Sequence, residues 1–301
     1  MADSRVSVVV LAVWAAGRPL WLPLSCLLLL TGAELLIALA HPVPGITLHV
    51  LLLTGLTVHG ALGTPGPERD LLLALTLVPL LRLLSLSLPL ASLPRLAWFP
   101  IVALPLAVST WFVVRLLGVS RRQLGLTGRG LSLQLMLAAG APALAVLHFR
   151  VLEPEPLLGA TSWGPFALAA VTLILFTGFA EELIFRGLLQ SLAERALGGL
   201  SFAFVALLFA ALHAGSRSTA HVGLVLLTAY IFGYVVRWSG SILGVSLVHG
   251  LINVSVYLVL PILARRPAEA AAMVPWAVWA GAAMATAAVA LMARSRLAAG
   301  R

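Results

Sequence analysis

Charge is scarce in this chain. Only 10% of its 301 residues are Asp, Glu, Lys or Arg, against about a quarter in soluble globular proteins, and lysine is absent altogether. Such a chain has too little polar surface to cover a water-soluble fold. Cysteine is nearly missing as well. The single Cys26 lies in an apolar run, which leaves no internal disulfide and no thiolate metal cluster and makes it a small buried apolar residue. The formal net charge of +9 comes from scattered arginines, with no basic run interleaved with aromatics, so nucleic acid is excluded as a partner.

What the chain has instead is apolar length. Hydrophobic residues make up 61% of it, in runs of about 20 residues that match a hydrocarbon core roughly 30 Å thick. Backbone groups in lipid must satisfy one another, so spans are helices or a closed barrel. Barrel strands alternate apolar and polar residues, and runs such as Leu71–Leu81 do not. The fold class is therefore all-α, a polytopic transmembrane helical bundle of about eight to ten spans. The expected spans are 21–40, 43–63, 71–92, 97–117, 130–148, 163–183, 199–215, 220–237, 241–262 and 273–293, separated by breakers such as His41-Pro42 and the 150–164 loop. Ahead of them, Val6–Ala16 reads as an interfacial helix rather than a cleaved signal segment, because Gly17-Arg18-Pro19 follows it. With the N-terminus inside, twelve arginines fall on inner segments and five on outer ones, which favours a cell-membrane protein with both termini in the cytoplasm.

Polarity inside the spans divides the chain. Residues 1–120 are N-terminal transmembrane helices of unassigned role. Residues 121–262 form the candidate catalytic membrane domain, with its motifs in 163–262, and 263–301 supply a last helix and a short basic tail. Ionisable groups within spans are costly and point to function.

Glu181 and Glu182 are adjacent in an apolar helix, about 100° apart, so they cannot share one task. Glu182 and Arg186 are spaced for an i, i+4 ion pair. Glu181 then has no local counter-charge and suits general-base work. A turn near Leu197, beside Gly198-Gly199, puts Glu181 and His213 sixteen residues on either side, at equal depth in a hairpin. His249 and Asn253 share one face of a later helix. His249 is only nine residues past Gly240, so the first hairpin should extend about 10 Å further, with Glu194 and Arg195 at its wet tip. Each group also has a plainer reading as an interhelical hydrogen-bonding residue. That reading is retained for His41, His49, His59, His148 and His221, which have no partners in sequence. Glu34, Arg82 and Arg115 read as helix-packing or snorkelling residues.

Three motifs in order, Glu181-Glu182…Arg186, Phe209…His213 and His249…Asn253, resemble those of the CAAX-protease and bacteriocin-processing (Abi) family of membrane endopeptidases, related to type II CAAX prenyl endopeptidases. Phe185-Arg-Gly-Leu-Leu-Gln190 and Gly233-Tyr234 support the likeness, which covers about residues 163–262. It implies an intramembrane endopeptidase acting on a membrane-associated protein or peptide. Glu181 and His213 would prepare a water, and His249 and Asn253 would stabilise the oxyanion. Glu182, Arg186 and Phe209 would support them. A metallo-type site using zinc on Glu181, His213 and His249 is the competing form. The spacing decides nothing between them, and the glutamate type without a cofactor is favoured. Two other classes stay open: a non-catalytic immunity or scaffold protein of the same fold, and a proton-coupled transporter, against which the lack of repeats counts. Lipid is the other expected partner.

Overall fold

The computed structural model describes residues 20–159 and 162–299, and all regular elements among them are helical. The expected interfacial helix over Val6–Ala16 lies outside the described residues. In chain order the helices are α1 (Trp21–Ala38), α2 (Pro42–Leu62), α3 (Pro67–Ser87), α4 (Arg95–Leu116), α5 (Leu131–Ala138 continued by Ala141–Leu152), α6 (163–197), α7 (Ser201–Ala211), α8 (Thr219–Ser239), α9 (Leu243–Ala264) and α10 (Pro267–Ala299). By length and apolarity, nine of the described helical stretches are able to cross a membrane. One of these, Trp163–Ser216, is 54 residues long and folds back at Gly198, where φ is +58°. Counted as α6 and α7 it gives ten helices, the upper end of the sequence expectation.

Of the boundaries that differ from those read in the sequence, two bear on the site. The helix expected to end at 183 continues to Leu197. The return helix α7 is short, ending at Ala211 and passing into a tight turn at Ala214–Ser216. At 1.5 Å per residue α6 is about 50 Å long, well beyond the thickness of a hydrocarbon core. The reason is local. The segment Gln190–Leu197 has good helix formers and no breaker before Gly198, and it buries Leu192, Ala193, Ala196 and Leu197 against α3 and α7.

Three wide π-helical turns interrupt the α geometry, at Ile174–Phe179 and Leu183–Leu189 in α6 and at Ser255–Val259 in α9. Turns of this kind hold i→i+5 hydrogen bonds and occur often at functional sites. The first two bracket Glu181 and Glu182, and the third begins two residues after Asn253.

Two apolar clusters dominate the core among the described residues. Leu30, Leu71, Leu75 and Leu77 of α1 and α3 pack in one apolar cluster with Phe185, Leu188 and Leu192 of α6 and Leu208 of α7. A second cluster joins α5, α8, α9 and α10 around Ala141, Val235, Ile242 and Val248. Large apolar side chains such as Leu28, Leu62, Trp163 and Trp276 point outward, as a lipid-facing surface requires.

The α6–α7 tip is braced by α8. Gln190 Nε2 donates to the Gly233 carbonyl at 3.1 Å, and Glu194 lies 3.6 Å from Arg237. α9 crosses α6 closely at Gly178 and Gly250, which lie twenty residues before Gly198 and ten after Gly240, so the α6–α7 hairpin reaches further from the crossing than the α8–α9 turn does, the direction expected from the spacing. A Cβ on Gly178 would lie 2.6 Å from Gly250 N, and a Cβ on Gly250 would lie 2.7 Å from Ile174 Cα. Two facing glycines let the backbones approach as small residues do in membrane helix pairs.

Candidate active site

The crossing of α6 and α9 sets the site. Glu182 is fully buried, and its Oε1 accepts two hydrogen bonds, from Arg186 Nη1 at 3.0 Å and from His249 Nδ1 at 2.9 Å. The Arg186 pair is the i, i+4 contact expected from spacing. The His249 contact is not, and it changes the assignment of partners. A carboxylate only accepts, so Nδ1 of His249 carries the proton and Nε2 is left to face the cavity. That Nε2 lies 3.9 Å from Glu181 Oε2. Glu181 is thus not isolated, as its sequence neighbourhood implied. Its side chain is 27% exposed, and the exposed part lines a cavity.

His213 sits just past the end of α7. Its Nδ1–H donates to the Phe209 carbonyl at 2.9 Å, four residues back, which again leaves Nε2 for the site. The Phe209 ring is a hub for the side chains around it. Its centroid is 4.9 Å from that of His213 and 6.0 Å from that of His249, and the Arg186 guanidinium carbon stacks over it at 4.3 Å. A desolvated cation over an aromatic face is worth about 2 kcal/mol, so Phe209 helps to hold Arg186, and through it Glu182.

Asn253 is one turn beyond His249 on α9. Its amide nitrogen donates to Thr177 Oγ1 at 2.8 Å, and that hydroxyl donates to the Leu173 carbonyl at 2.5 Å. Thr177 was missed in sequence. The available signal was a hydroxyl residue four positions before Glu181 in an otherwise apolar run.

Glu181, His213, His249 and Asn253 all line one cavity of about 490 Å³, whose other walls include Leu81, Phe99, Leu106 and Phe176. Of the residues singled out in sequence, Glu182, Arg186 and His249 are hydrogen-bonded together, and Glu181 and His249 are near neighbours. His213 and Asn253 share the cavity wall with them without a direct bond to either Glu181 or His249. His148 and His221, read as lone packing residues, are not alone. Their rings meet edge to face at 5.6 Å, and His221 lies 5.8 Å from His213. Sequence could not show this, because His148 comes from α5, far from the motifs. Among the remaining histidines, buried His49 has its Nε2 2.9 Å from Glu34 Oε1, and Arg82 makes two bonds to the same carboxylate at 2.6 and 2.8 Å. Glu34 and Arg82 are therefore packing residues of a specific kind, a buried triad that ties α1, α2 and α3.

Zinc would draw on the same imidazole nitrogens. Both His213 and His249 have Nδ1 engaged by an acceptor and Nε2 free, the tautomer that metal ligands adopt. Yet among the described residues no three His, Cys, Asp or Glu side chains are grouped closely enough to hold a metal ion. The Glu181, His213, His249 set in this geometry does not fit one.

Residues 163–255 match a family model, the type II CAAX prenyl endopeptidase Rce1-like family. The stretch runs from the start of α6 into α9 and includes every candidate site residue, so the resemblance read from the three motifs holds over the part of the chain that builds the site. The matched family is one of proteases, and the chain that carries this stretch is a multi-pass helical bundle. No curated protein and no solved structure matches the chain.

Proposed function

We propose that the chain is an intramembrane endopeptidase that hydrolyses a peptide bond in a membrane-associated protein or peptide, with Glu181 as general base. The observation that carries this reading is the Glu182–His249–Glu181 arrangement at the wall of a largely apolar cavity. One carboxylate is spent on orienting the imidazole, and the other is left exposed to the space where a substrate would lie. A water held between Glu181 and His213 gives its proton to Glu181 as its oxygen attacks the carbonyl carbon. His213 Nε2 accepts that water's second hydrogen and orients it. The protonated Glu181 then gives its proton to the departing amine and returns to the carboxylate. His249, protonated on both nitrogens between the two carboxylates so that Nε2–H is presented to the cavity, and Asn253 stabilise the charge that develops on the carbonyl oxygen, each contributing about 3 kcal/mol in a water-poor site. Asn253 has two amide hydrogens, so the bond to Thr177 leaves one for the substrate.

The glutamate type is favoured over the metallo type because the Glu181, His213 and His249 donors do not converge. Retention of activity after chelation, with no gain on adding zinc, is the expected result. The termini are assigned to the cytoplasm from the arginine distribution. The partners are lipid and a membrane-associated peptide or protein substrate, with no nucleic acid.

Comparative membrane proteomics of wild type against Glu181→Gln tests the function. One or a few precursors should accumulate in the variant. Identical membrane proteomes, with the variant present at wild-type level, would overturn the reading.

A further inference from the structure

The candidate catalytic side chains stand between two cavities. In front is the large cavity that Glu181 faces. Behind is a smaller one of about 70 Å³, which shares His213, His249 and Asn253 with the first but is bounded on its far side by His148, His221 and Thr228. A peptide seated in the front cavity covers Glu181 and shuts out solvent from that side. Hydrolysis still consumes one water for each bond cut.

The rear cavity is built to hold water. His148 and His221 are 7% and 6% exposed, and His148 Nε2 and His221 Nδ1 have no hydrogen-bond partner among the described residues. Buried ring nitrogens of this kind require a partner. The space exceeds the roughly 10–15 Å³ that one water needs, so it accommodates a small cluster. The histidines also lead somewhere. His221 is the third residue of α8 and is held there by the Ser218 cap, whose Oγ accepts from His221 N at 3.2 Å. His148 is four residues before the end of α5 at Leu152. Both are thus within about 6 Å, along the helix axis, of a helix end and the loop beyond it. At the other end of the line, His221 is adjacent to His213.

From this geometry we infer that the rear cavity is the water inlet of the active site, and that His148 and His221 are positioning residues that hold the incoming water behind His213. The purpose of the inlet rests on the protease reading above, whereas the hydration of the cavity does not.

The two are tested apart. In full-length, histidine-labelled protein in lipid nanodiscs, magnetisation transfer from water to the imidazole ring protons reports hydration, with bulk water itself as the probe. Transfer to His148 and His221 is expected in wild type and equally in Glu181→Gln. Dry rings at both histidines in wild type overturn the inlet. His221→Phe fills the cavity and should abolish transfer to His148. It should also slow conversion of the precursor that accumulates in Glu181→Gln membranes by roughly tenfold, about the effect of losing one positioning hydrogen bond. His221→Gln keeps a polar group and should recover most of that loss. Conversion at the wild-type rate in a His221→Phe protein whose His148 is dry overturns the positioning role. If His221→Phe melts well below wild type, the wild-type hydration result and the His221→Gln rate decide. A membrane proteome unchanged by Glu181→Gln removes the protease reading, and wet or dry rings in wild type then decide the hydration of the cavity by themselves.

Discussion

His249 donates from Nδ1 to Glu182 at 2.9 Å, and this bond aims its other nitrogen at the cavity, 3.9 Å from Glu181. The buried carboxylate is shared with Arg186, so it ties a charge in α6 to an imidazole in α9. Replacing Glu182 by Ala leaves Arg186 buried without its ion-pair partner and should cost about 3–5 kcal/mol of stability. Glu182→Gln keeps an acceptor oxygen and should melt closer to wild type, while precursor conversion falls about a hundredfold because His249 is no longer held by charge. Thermal unfolding in detergent and conversion in membranes measure the two effects.

Glu181 behaves differently. It is partly exposed, and no hydrogen bond to another described residue holds it. Glu181→Gln should therefore leave the melting temperature unchanged or slightly higher, since no buried partner is stranded, while conversion drops by about 10²-fold or more. A variant that loses stability in step with activity would show that Glu181 is structural instead.

Thr177 accepts the Asn253 amide and donates to the Leu173 carbonyl. Thr177→Val preserves shape and removes the acceptor. Asn253 then has a free rotor, and conversion should fall about tenfold, equivalent to roughly 1.4 kcal/mol of barrier. Thr177→Ser restores the hydroxyl and should restore the rate. Equal rates for the Val and Ser variants would show that Asn253 needs no such anchor.

The contact between Gly178 and Gly250 leaves no room for a methyl group on either side. Gly178→Ala or Gly250→Ala must push α6 and α9 apart, at a cost of about 1–3 kcal/mol. The same displacement lengthens the Glu182–His249 bond, so both variants should lose conversion more steeply than stability. Gly223 has open space around its Cβ position, and Gly223→Ala provides the control for a harmless substitution in the same bundle.

Glu34 carries a load in the N-terminal half, with His49 and Arg82 both bound to its carboxylate. Glu34→Ala should cost about 3–5 kcal/mol by stranding a buried partner. Arg82 also lines the front cavity, so the variant should weaken precursor conversion as well as stability. Glu34→Gln, which keeps one acceptor, should fall between.

The helices and their turns were legible because they follow from chain-local physics. Apolar runs of membrane length must satisfy their own backbone bonds, and Gly198 and Gly240, both at positive φ, mark the turns at the places read from sequence. The Glu182–Arg186 pair was legible for the same reason, since an i, i+4 contact is a property of one helix. The contact of His249 with Glu182 was not. Two π turns in α6 shift which face each residue presents, and a straight 3.6-residue helix drawn through Thr177, Glu181 and Glu182 misses that shift.

The linear order of residues, then, was enough to determine a polytopic helical membrane protein and the set of polar groups committed to its interior. Local hydrogen bonding and the cost of burying polar atoms in lipid act at every position independently of distant partners. Which of those groups meet was decided by the folded chain alone: Glu182 beneath His249, Thr177 beneath Asn253, and His148 brought from α5 to His221. Such meetings depend on the angle and depth at which helices cross, and those are fixed by the packing of shapes such as the Gly178–Gly250 contact rather than by any periodicity along the chain.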